Sequence, residues 1–323
     1  MKIITYEDIK ALQISPLDCY DWVVEALQHK EEALLPPKIS LSKESGTFCN
    51  VMPSFIQHAE YGLLGGIKVV TRYPNREPSL DSKLLLLDAK TGEFLSLMEA
   101  DWITTMRTGA VAAHSIELLA KKDFSTMGFL GLGNTARAAL WVLAERLKGR
   151  ELFIKLLRYK DQAEDFMKRF AEYPNLHFEI VDTMEELVRG SAVVVSAVTY
   201  FGADACPSSL FEPGTLLVPI HTRGFTECDL TFDKVFADDR GHVCHFGNFS
   251  KFKSFAEVAD VISGKVKGRE SDDERILAYN IGISLHDITF AGYIYTKYMK
   301  ANAGNAEKLK DIDFAQPVEK FWI

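Results

Sequence analysis

Apolar and polar positions change rhythm along this chain, and each rhythm predicts a different element. In "SPLDCYDWVVEALQHK" apolar side chains recur at helical spacing, which predicts a helix opened by Ser15 or Asp18. "GLLGGIKVVTRYP" and "SKLLLLDAKTGEFLSLMEA" predict strands, the second a hairpin turning at Lys90-Thr91-Gly92. "DWITTMRTGAVAAHSIELLAKK" predicts a long, alanine-rich helix. From Phe124 short apolar runs alternate with helical ones: "TMGFLGLG", "RAALWVLAERL", "LFIKLLRY", "DQAEDFMKRFAE", "HFEIVD", "TMEELVRG", "AVVVSAV", "TLLVPI", "KVFADD". That alternation predicts a parallel sheet with helices on both faces. Near Gly268 the pattern returns to helix, "KGRESDDERIL" reading as a solvated loop that leads into it. "DDERILAYNIGISLHDITFAGYIYTKYMK" is the last long segment, and the polar tail after Ala301 is expected to cross back to the first part.

At 323 residues the chain exceeds the usual size of one domain, and its 47% hydrophobic content suffices for packed cores. A formal charge of −8 offers no electrostatic footprint for nucleic acid or an anionic membrane. The cysteines, Cys19, Cys49, Cys206, Cys228 and Cys244, are odd in number and scattered, which suits a reducing compartment. The start "MKIITYEDIK" has no signal-peptide core, and runs such as "SAVVVSAV" are too short to span a bilayer. A soluble, cytoplasmic protein is expected.

"GLGNTA" fits the shape G-x-G-x-x-A, after an apolar strand and at the opening of a helix. Gly131 permits the tight turn, Gly133 lets backbone approach a pyrophosphate, and Ala136 lets the helix pack on its strand. The free N–H groups at Asn134 and Thr135 then point at the phosphates. These features predict a doubly wound, Rossmann-type NAD(P)-binding domain at 121–291. A mixed α+β domain takes 1–120 and 292–323. The second strand of the nucleotide domain ends "LLRYKD", with Arg158 where an acid would bind the ribose diol of NAD. Arg158, with Lys160 as second candidate, favours NADP(H), while NAD(H) stays open.

Two cations sit in unusual settings. Lys68 interrupts the apolar run "LLGGIKVV", and a buried ammonium is costly unless an anion meets it. Arg107 lies near the start of the alanine-rich helix, a setting suited to clamping a carboxylate. "RGHVCHFGN" places His242, Cys244 and His245 together, but their spacing matches no standard zinc pattern, and no metal is expected.

The chain resembles the ornithine cyclodeaminase/μ-crystallin family through "VMPSF", "GGIKVV", "TGEFLSLMEADWITTMRTGAVAA", "GLGNTA", "SAVT" and "NIGISLHDITFA". That resemblance implies a substrate-carboxylate role for Lys68 and Arg107. It also implies cofactor contacts at Ser79, Arg107, Thr108, Gly131, Gly133, Asn134, Thr135, Thr199, His221 and Asn280, with Ile281 beside the substrate. It implies that 1–120 and 292–323 make a substrate and dimerisation domain, and that a homodimer forms through it. The chain also departs from the family pattern. Lys38 stands where the cyclodeaminases carry a substrate-binding arginine, and Asn50 where they carry a glutamate. Their catalytic aspartate lies in a loop that here reads "PIHTRGFTECDLTFDKVF", in which Asp229 and Glu227 are the nearby acids.

The resemblance therefore favours an NAD(P)-dependent oxidoreductase acting at the C–N bond of a small α-amino or α-imino acid. Lys68 is then the first candidate proton donor, and His221 and Asp229 are others. Ornithine cyclodeaminase itself and a μ-crystallin-like cofactor and small-ligand binder are the alternative readings.

Overall fold

Local signals start the elements where the sequence places them. In the computed structural model, which describes residues 1–44, 46–199, 201–221, 224–305 and 309–313, Ser15 and Asp18 form a reciprocal capping box. Each side chain accepts the other's backbone N–H at 3.0 Å, and Pro16 fills the first helical position. Thr5 with Asp8 and Thr183 with Glu186 repeat the device.

The first half runs β1 (Lys2–Ile4), α1 (Tyr6–Ala11), α2 (Pro16–Gln28), β2 (Ile39–Leu41), β3 (Phe48–His58), β4 (Gly62–Arg72), β5 (Leu80–Asp88), β6 (Phe94–Glu99) and α3 (Asp101–Leu119). Its strands form a six-stranded sheet in the order β1-β6-β5-β4-β3-β2, antiparallel except where β1 joins β6. The predicted hairpin is β5–β6, and Gly92 turns it at φ +77°.

The second half runs β7 (Thr126–Leu130), α4 (Asn134–Arg146), β8 (Leu152–Leu157), α5 (Gln162–Arg169), β9 (Leu176–Val181), α6 (Met184–Val188), β10 (Val193–Ser196), β11 (Leu216–Pro219), α7 (Cys228–Thr231), β12 (Lys234–Ala237), α8 (Arg240–Val243), β13 (Phe255–Glu257), α9 (Val258–Ile262), β14 (Ile276–Tyr279) and α10 (Ser284–Ala301). These strands form an all-parallel sheet of eight in the order β13-β12-β14-β11-β10-β7-β8-β9. From β7 the chain winds outward through β8 and β9, then reverses to β10. That reversal makes a switch point between β7 and β10.

Two expectations are corrected. "DDERILAYNIGIS" is not the start of the last helix. Its "ILAY" is the fully buried strand β14, inserted between β11 and β12. A four-residue apolar run beside a helix carries no periodicity of its own to tell the two apart. "KGRESDDERIL" accordingly leads into a strand. "RGHVCHFGN" opens with a helical turn, α8.

The expected domain boundary at 291/292 falls inside α10, which packs as a whole on β3, β4 and β5. Tail residues 309–313 return to the first sheet. Ile3 donates its N–H to the Lys310 carbonyl at 2.8 Å, and Lys2 meets Asp311 at 2.7 Å. Residues 314–323 of that expected domain lie outside the described residues.

Small residues join the two halves. A Cβ on Gly109 of α3 would stand 2.5 Å from the Ala138 Cβ of α4, so the alanine-rich face lets the helices touch almost at the backbone. No helix among the described residues is long and apolar enough to cross a membrane.

Candidate active site

The site begins with a close approach. On β4, Leu64, Gly66, Lys68 and Val70 point inward. A Cβ on Gly66 would stand 2.5 Å from Ile288 Cδ1, so glycine there lets the first turns of α10 settle on the strand. That contact carries Asp287, the neighbour of Ile288, onto Lys68. Lys68 Nζ donates to Asp287 Oδ1 at 2.7 Å, and both side chains are completely buried. Asp287 lies near the N-terminus of α10, where the helix dipole favours a negative charge.

Arg107 arrives from α3. Its Nε lies 2.9 Å from the same Asp287 oxygen, at ion-pair distance but off the hydrogen-bond line. The residue sits in the second turn of α3, so the unpaired N–H groups of that helix belong to earlier residues and not to the clamp. Burial, with Arg107 next, pulls the Lys68 ammonium down to about 7, while Asp287 opposes the shift.

Lys38 joins from the segment before β2. Burial draws its ammonium below the ordinary lysine value, Asp238 holds it up, and Arg107 and Asp287 act on it next. Asp238 is buried at the end of β12, accepts the Gly282 N–H at 2.6 Å, and is raised by that burial. Lys38, Lys68, Arg107, Asp238 and Asp287 thus form one electrostatic group. Asn50 shares the inward face of β3 with Met52, whose cross-strand partner is Lys68. It accepts a hydrogen bond from Ser40.

The group faces the C-terminal edge of the parallel sheet. Gly282 follows β14 at φ +88°, and its missing Cβ leaves the space in which the Arg107 guanidinium lies. Ile281 precedes it, half-buried, and Asn280 donates to Ser115 of α3 at 3.1 Å. On the same edge His221 follows β11 and pairs through Nε2 with Ser196 Oγ at 2.6 Å. Thr199 stands exposed beyond β10.

At the switch point the glycine turn has the shape a dinucleotide requires. Gly131 takes φ +78°, and a Cβ there would meet the Ala197 backbone at 2.5 Å. A Cβ on Gly133 would touch no protein atom, so the chain's own packing does not demand glycine there. An approaching phosphate does. Asn134 and Thr135 open α4, and Ala136 is fully buried beneath the turn. The cradle fits a dinucleotide, which Gly131, Gly133, Asn134 and Thr135 would hold.

Other expected residues lie elsewhere or are otherwise engaged. Asp229 accepts the Tyr279 hydroxyl at 2.7 Å within the second hydrophobic core, and burial pushes its carboxyl up to about 6. None of the clamp residues is among the groups that shift it. Arg158, just beyond β8, donates Nε to Asp182 at 2.7 Å and Nη1 to Glu164 at 3.1 Å. Lys160 takes φ +51° and lies over the Tyr159 ring. The Thr108 hydroxyl donates to the Thr104 carbonyl at 2.6 Å. Ser79 sits in the β4–β5 loop, where its carbonyl accepts the Tyr73 N–H at 2.9 Å. His242 lies on the α8 turn. Its Nδ1 pairs with Asp239 at 3.1 Å, and its Nε2 accepts the Lys38 N–H at 3.3 Å.

Sequence reasoning missed Asp287 and Asp238. Asp287 had a signal: it is the one charged residue in the apolar stretch "NIGISLHDITFAGYIY", as Lys68 is in "LLGGIKVV". Opposite charges buried in two apolar runs are each other's natural partners.

Comparison with known proteins adds to this geometry. The family model for the ornithine cyclodeaminase/mu-crystallin family matches residues 2–302. N-((2S)-2-amino-2-carboxyethyl)-L-glutamate dehydrogenase of Staphylococcus aureus is 28% identical over 85% of this chain and 87% of its own length. Alanine dehydrogenase of Archaeoglobus fulgidus is 27% identical over 95% and 98%. The structure of Thermococcus litoralis Delta(1)-pyrroline-2-carboxylate reductase in complex with NADH and L-proline superimposes with a TM-score of 0.83. It shares 23% identity over 97% of this chain and 100% of that one.

Proposed function

Because the chain belongs to the ornithine cyclodeaminase/mu-crystallin family, we propose that it is an NAD(P)-dependent oxidoreductase working at the C–N bond of a small α-amino or α-imino acid. One observation carries this reading. Lys68, Arg107 and Lys38 gather, with Asp287 and Asp238 as their counter-ions, against the C-terminal edge of the parallel sheet, the edge that also carries the glycine turn. Cations gathered around buried acids suit a carboxylate ligand, which Arg107 can orient by hydrogen bonds. Fixing that carboxylate fixes the neighbouring carbon, and such positioning can account for a large part of a transfer barrier.

The nicotinamide, when bound, supplies or accepts the hydride. Lys68 is suited to the proton, since an ammonium held near 7 can both release and regain one at neutral pH. In the reductive direction its proton passes to the substrate nitrogen, leaving the neutral amine. Asp229 receives no role here, because its carboxylate is engaged by the Tyr279 hydroxyl and none of the clamp residues is among the groups that shift it. The dehydrogenase and reductase names of the relatives support this reaction class. NADP(H) is the preferred form in this reading. No acid stands in the ribose position after β8, and neither Asp182 nor Glu164 takes Arg158 Nη2.

A homodimer completes the reading. The outer face of the first sheet carries Phe55 and Ile67, 40% and 37% exposed. Phe55 and Leu87 close over Gly65 between them. An apolar sheet face of this kind is suited to a second copy of itself.

Turnover tests the function. The protein is supplied with NADH or NADPH and a panel of 2-oxo acids with ammonia or amino acids, together with cyclic imino acids. Loss of reduced cofactor in proportion to product is expected. Ammonia released from ornithine without net loss of cofactor contradicts the oxidoreductase reading. Tight cofactor binding with no turnover on any member of the panel contradicts it as well.

A further inference from the structure

The clamp is not electrically balanced in the way a purely structural ion pair would be. Asp287 Oδ1 serves both Lys68, at 2.7 Å, and Arg107, at 2.9 Å, while Asp287 Oδ2 is buried without a hydrogen-bond partner among the described residues. Between the uncharged neighbours Met52 and Leu84 on the flanking strands, charged groups from three other segments act on Lys68. Arg107 comes from α3, Lys38 from the segment before β2, and Asp287 from α10. Asp238 lies beyond Lys38. The His286 ring, buried on α10, is kept neutral by that burial and by Arg107. Of Arg107, Lys38 and Asp287, the charged groups that act most on Lys68, Asp287 alone favours its ammonium form, and solvent gives none of its usual support.

We propose that Lys68 and Asp287 form a proton-holding pair whose proton content follows the occupancy of the clamp, with Asp287 the residue that positions Lys68 and an arriving carboxylate drawing one proton from solvent onto Lys68. The proposal rests on the carboxylate-clamp reading given above. The balance is simple. A neutral Lys68 amine, one solvent proton and a ligand carboxylate become an ammonium held between two carboxylates, with no electron transferred and no covalent bond to carbon formed. A negative charge placed within a few ångströms of a desolvated amine shifts its protonation by about one to three pH units, enough to change its state near neutrality. The ligand would thus load the acid that its own reduction consumes. A site holding NAD(P)+ and no carboxylate would keep Lys68 largely unprotonated at mildly alkaline pH.

Calorimetry of the full-length protein tests this. Pyruvate has no group that titrates near neutrality, and it is titrated into protein saturated with NAD+ at pH 8, in buffers of different ionisation enthalpy. The dependence of the heat on buffer counts protons. About half a proton to one proton taken up per pyruvate is expected for the native chain. Asp287→Asn should move the pH of maximal uptake down by about one unit or more, and Asp287→Glu should restore it. Pyruvate binding with no proton uptake, or an uptake profile unchanged in Asp287→Asn, overturns the proposal.

A ligand-free measurement separates this proposal from the function. Stability is followed from pH 6 to 10 for the native chain, Lys68→Met and Asp287→Asn. Below about pH 7 both folded and unfolded chains hold the Lys68 proton. Between there and the ordinary lysine value only the unfolded chain does, so native stability should rise with pH across that window. Lys68→Met should remove this component, and Asp287→Asn should start it at lower pH. A native profile that matches Lys68→Met overturns the pair even if the enzyme turns over. If pyruvate fails to bind while the stability window is present, the clamp reading fails and the proposed uptake fails with it.

Discussion

The Arg107 guanidinium occupies the space that any side chain on residue 282 would fill: a Cβ on Gly282 would stand 2.2 Å from Arg107 Nη1. This contact ties the first half's clamp to the sheet edge of the second half. Gly282→Ala is therefore expected to displace Arg107 and strain a backbone held at φ +88°. A tenfold or greater loss in kcat/KM for the amino or imino acid should follow, about 1.4 kcal/mol or more, while NAD(P)H affinity changes little. Steady-state kinetics alongside cofactor fluorescence titration checks it. Equal losses in both would place Arg107 outside substrate recognition.

Arg158 tests cofactor preference. Arg158→Ala should weaken NADPH about tenfold or more and leave NADH near its native value, since only NADPH carries the extra phosphate. Asp182 and Glu164 lose a partner in this variant, but all three side chains are well exposed, so little stability should be lost. Parallel binding titrations of the two cofactors give the answer, and an equal change in both removes Arg158 from the assignment.

Asp229 separates a buried acid from a catalytic one. Burial raises its carboxyl to about 6, with the Tyr279 hydroxyl opposing. Between about pH 4 and 6 the folded chain keeps a proton that the unfolded chain has released, so stability falls as pH rises through that window and stays lower above it. Asp229→Asn should abolish this fall and leave the protein at pH 7 as stable as before, or up to about 2 kcal/mol more so. Turnover should stay within about threefold. A loss of two orders of magnitude in kcat, with the fold intact by circular dichroism, would make Asp229 the proton donor.

The sheet face tests assembly. Ile67 lies on the opposite face of β4 from Lys68, so Ile67→Glu adds charge without entering the clamp. Sedimentation of the native chain should give a dimer and of the variant a monomer. A native monomer contradicts the proposed homodimer.

Much of this site could be read along the chain because its parts break local rules. Lys68 is a charge inside an apolar strand, and Gly131 and Gly133 are glycines at fixed spacing after one. Residues whose meaning depends on distant partners were harder to read. Asp287 meets Lys68 across 219 positions, and only the fold reveals that Gly66 admits α10 at that place. The "ILAY" strand was hidden for a similar reason. Its four residues abut a true helix, and nothing local says that the parallel sheet has room for them between β11 and β12. Residue type and position alone do not place Arg158 or Asp229. Their acid and hydroxyl partners come from elements that sequence spacing could not bring near.

A crystal structure of the native chain with NADH and pyruvate bound addresses the central claim most directly. The pyruvate carboxylate is expected within hydrogen-bond distance of both Arg107 and Lys68, its keto carbon facing the nicotinamide at the end of β11. Pyruvate held away from those two cations, or the nicotinamide lying outside the seam they share, would contradict it.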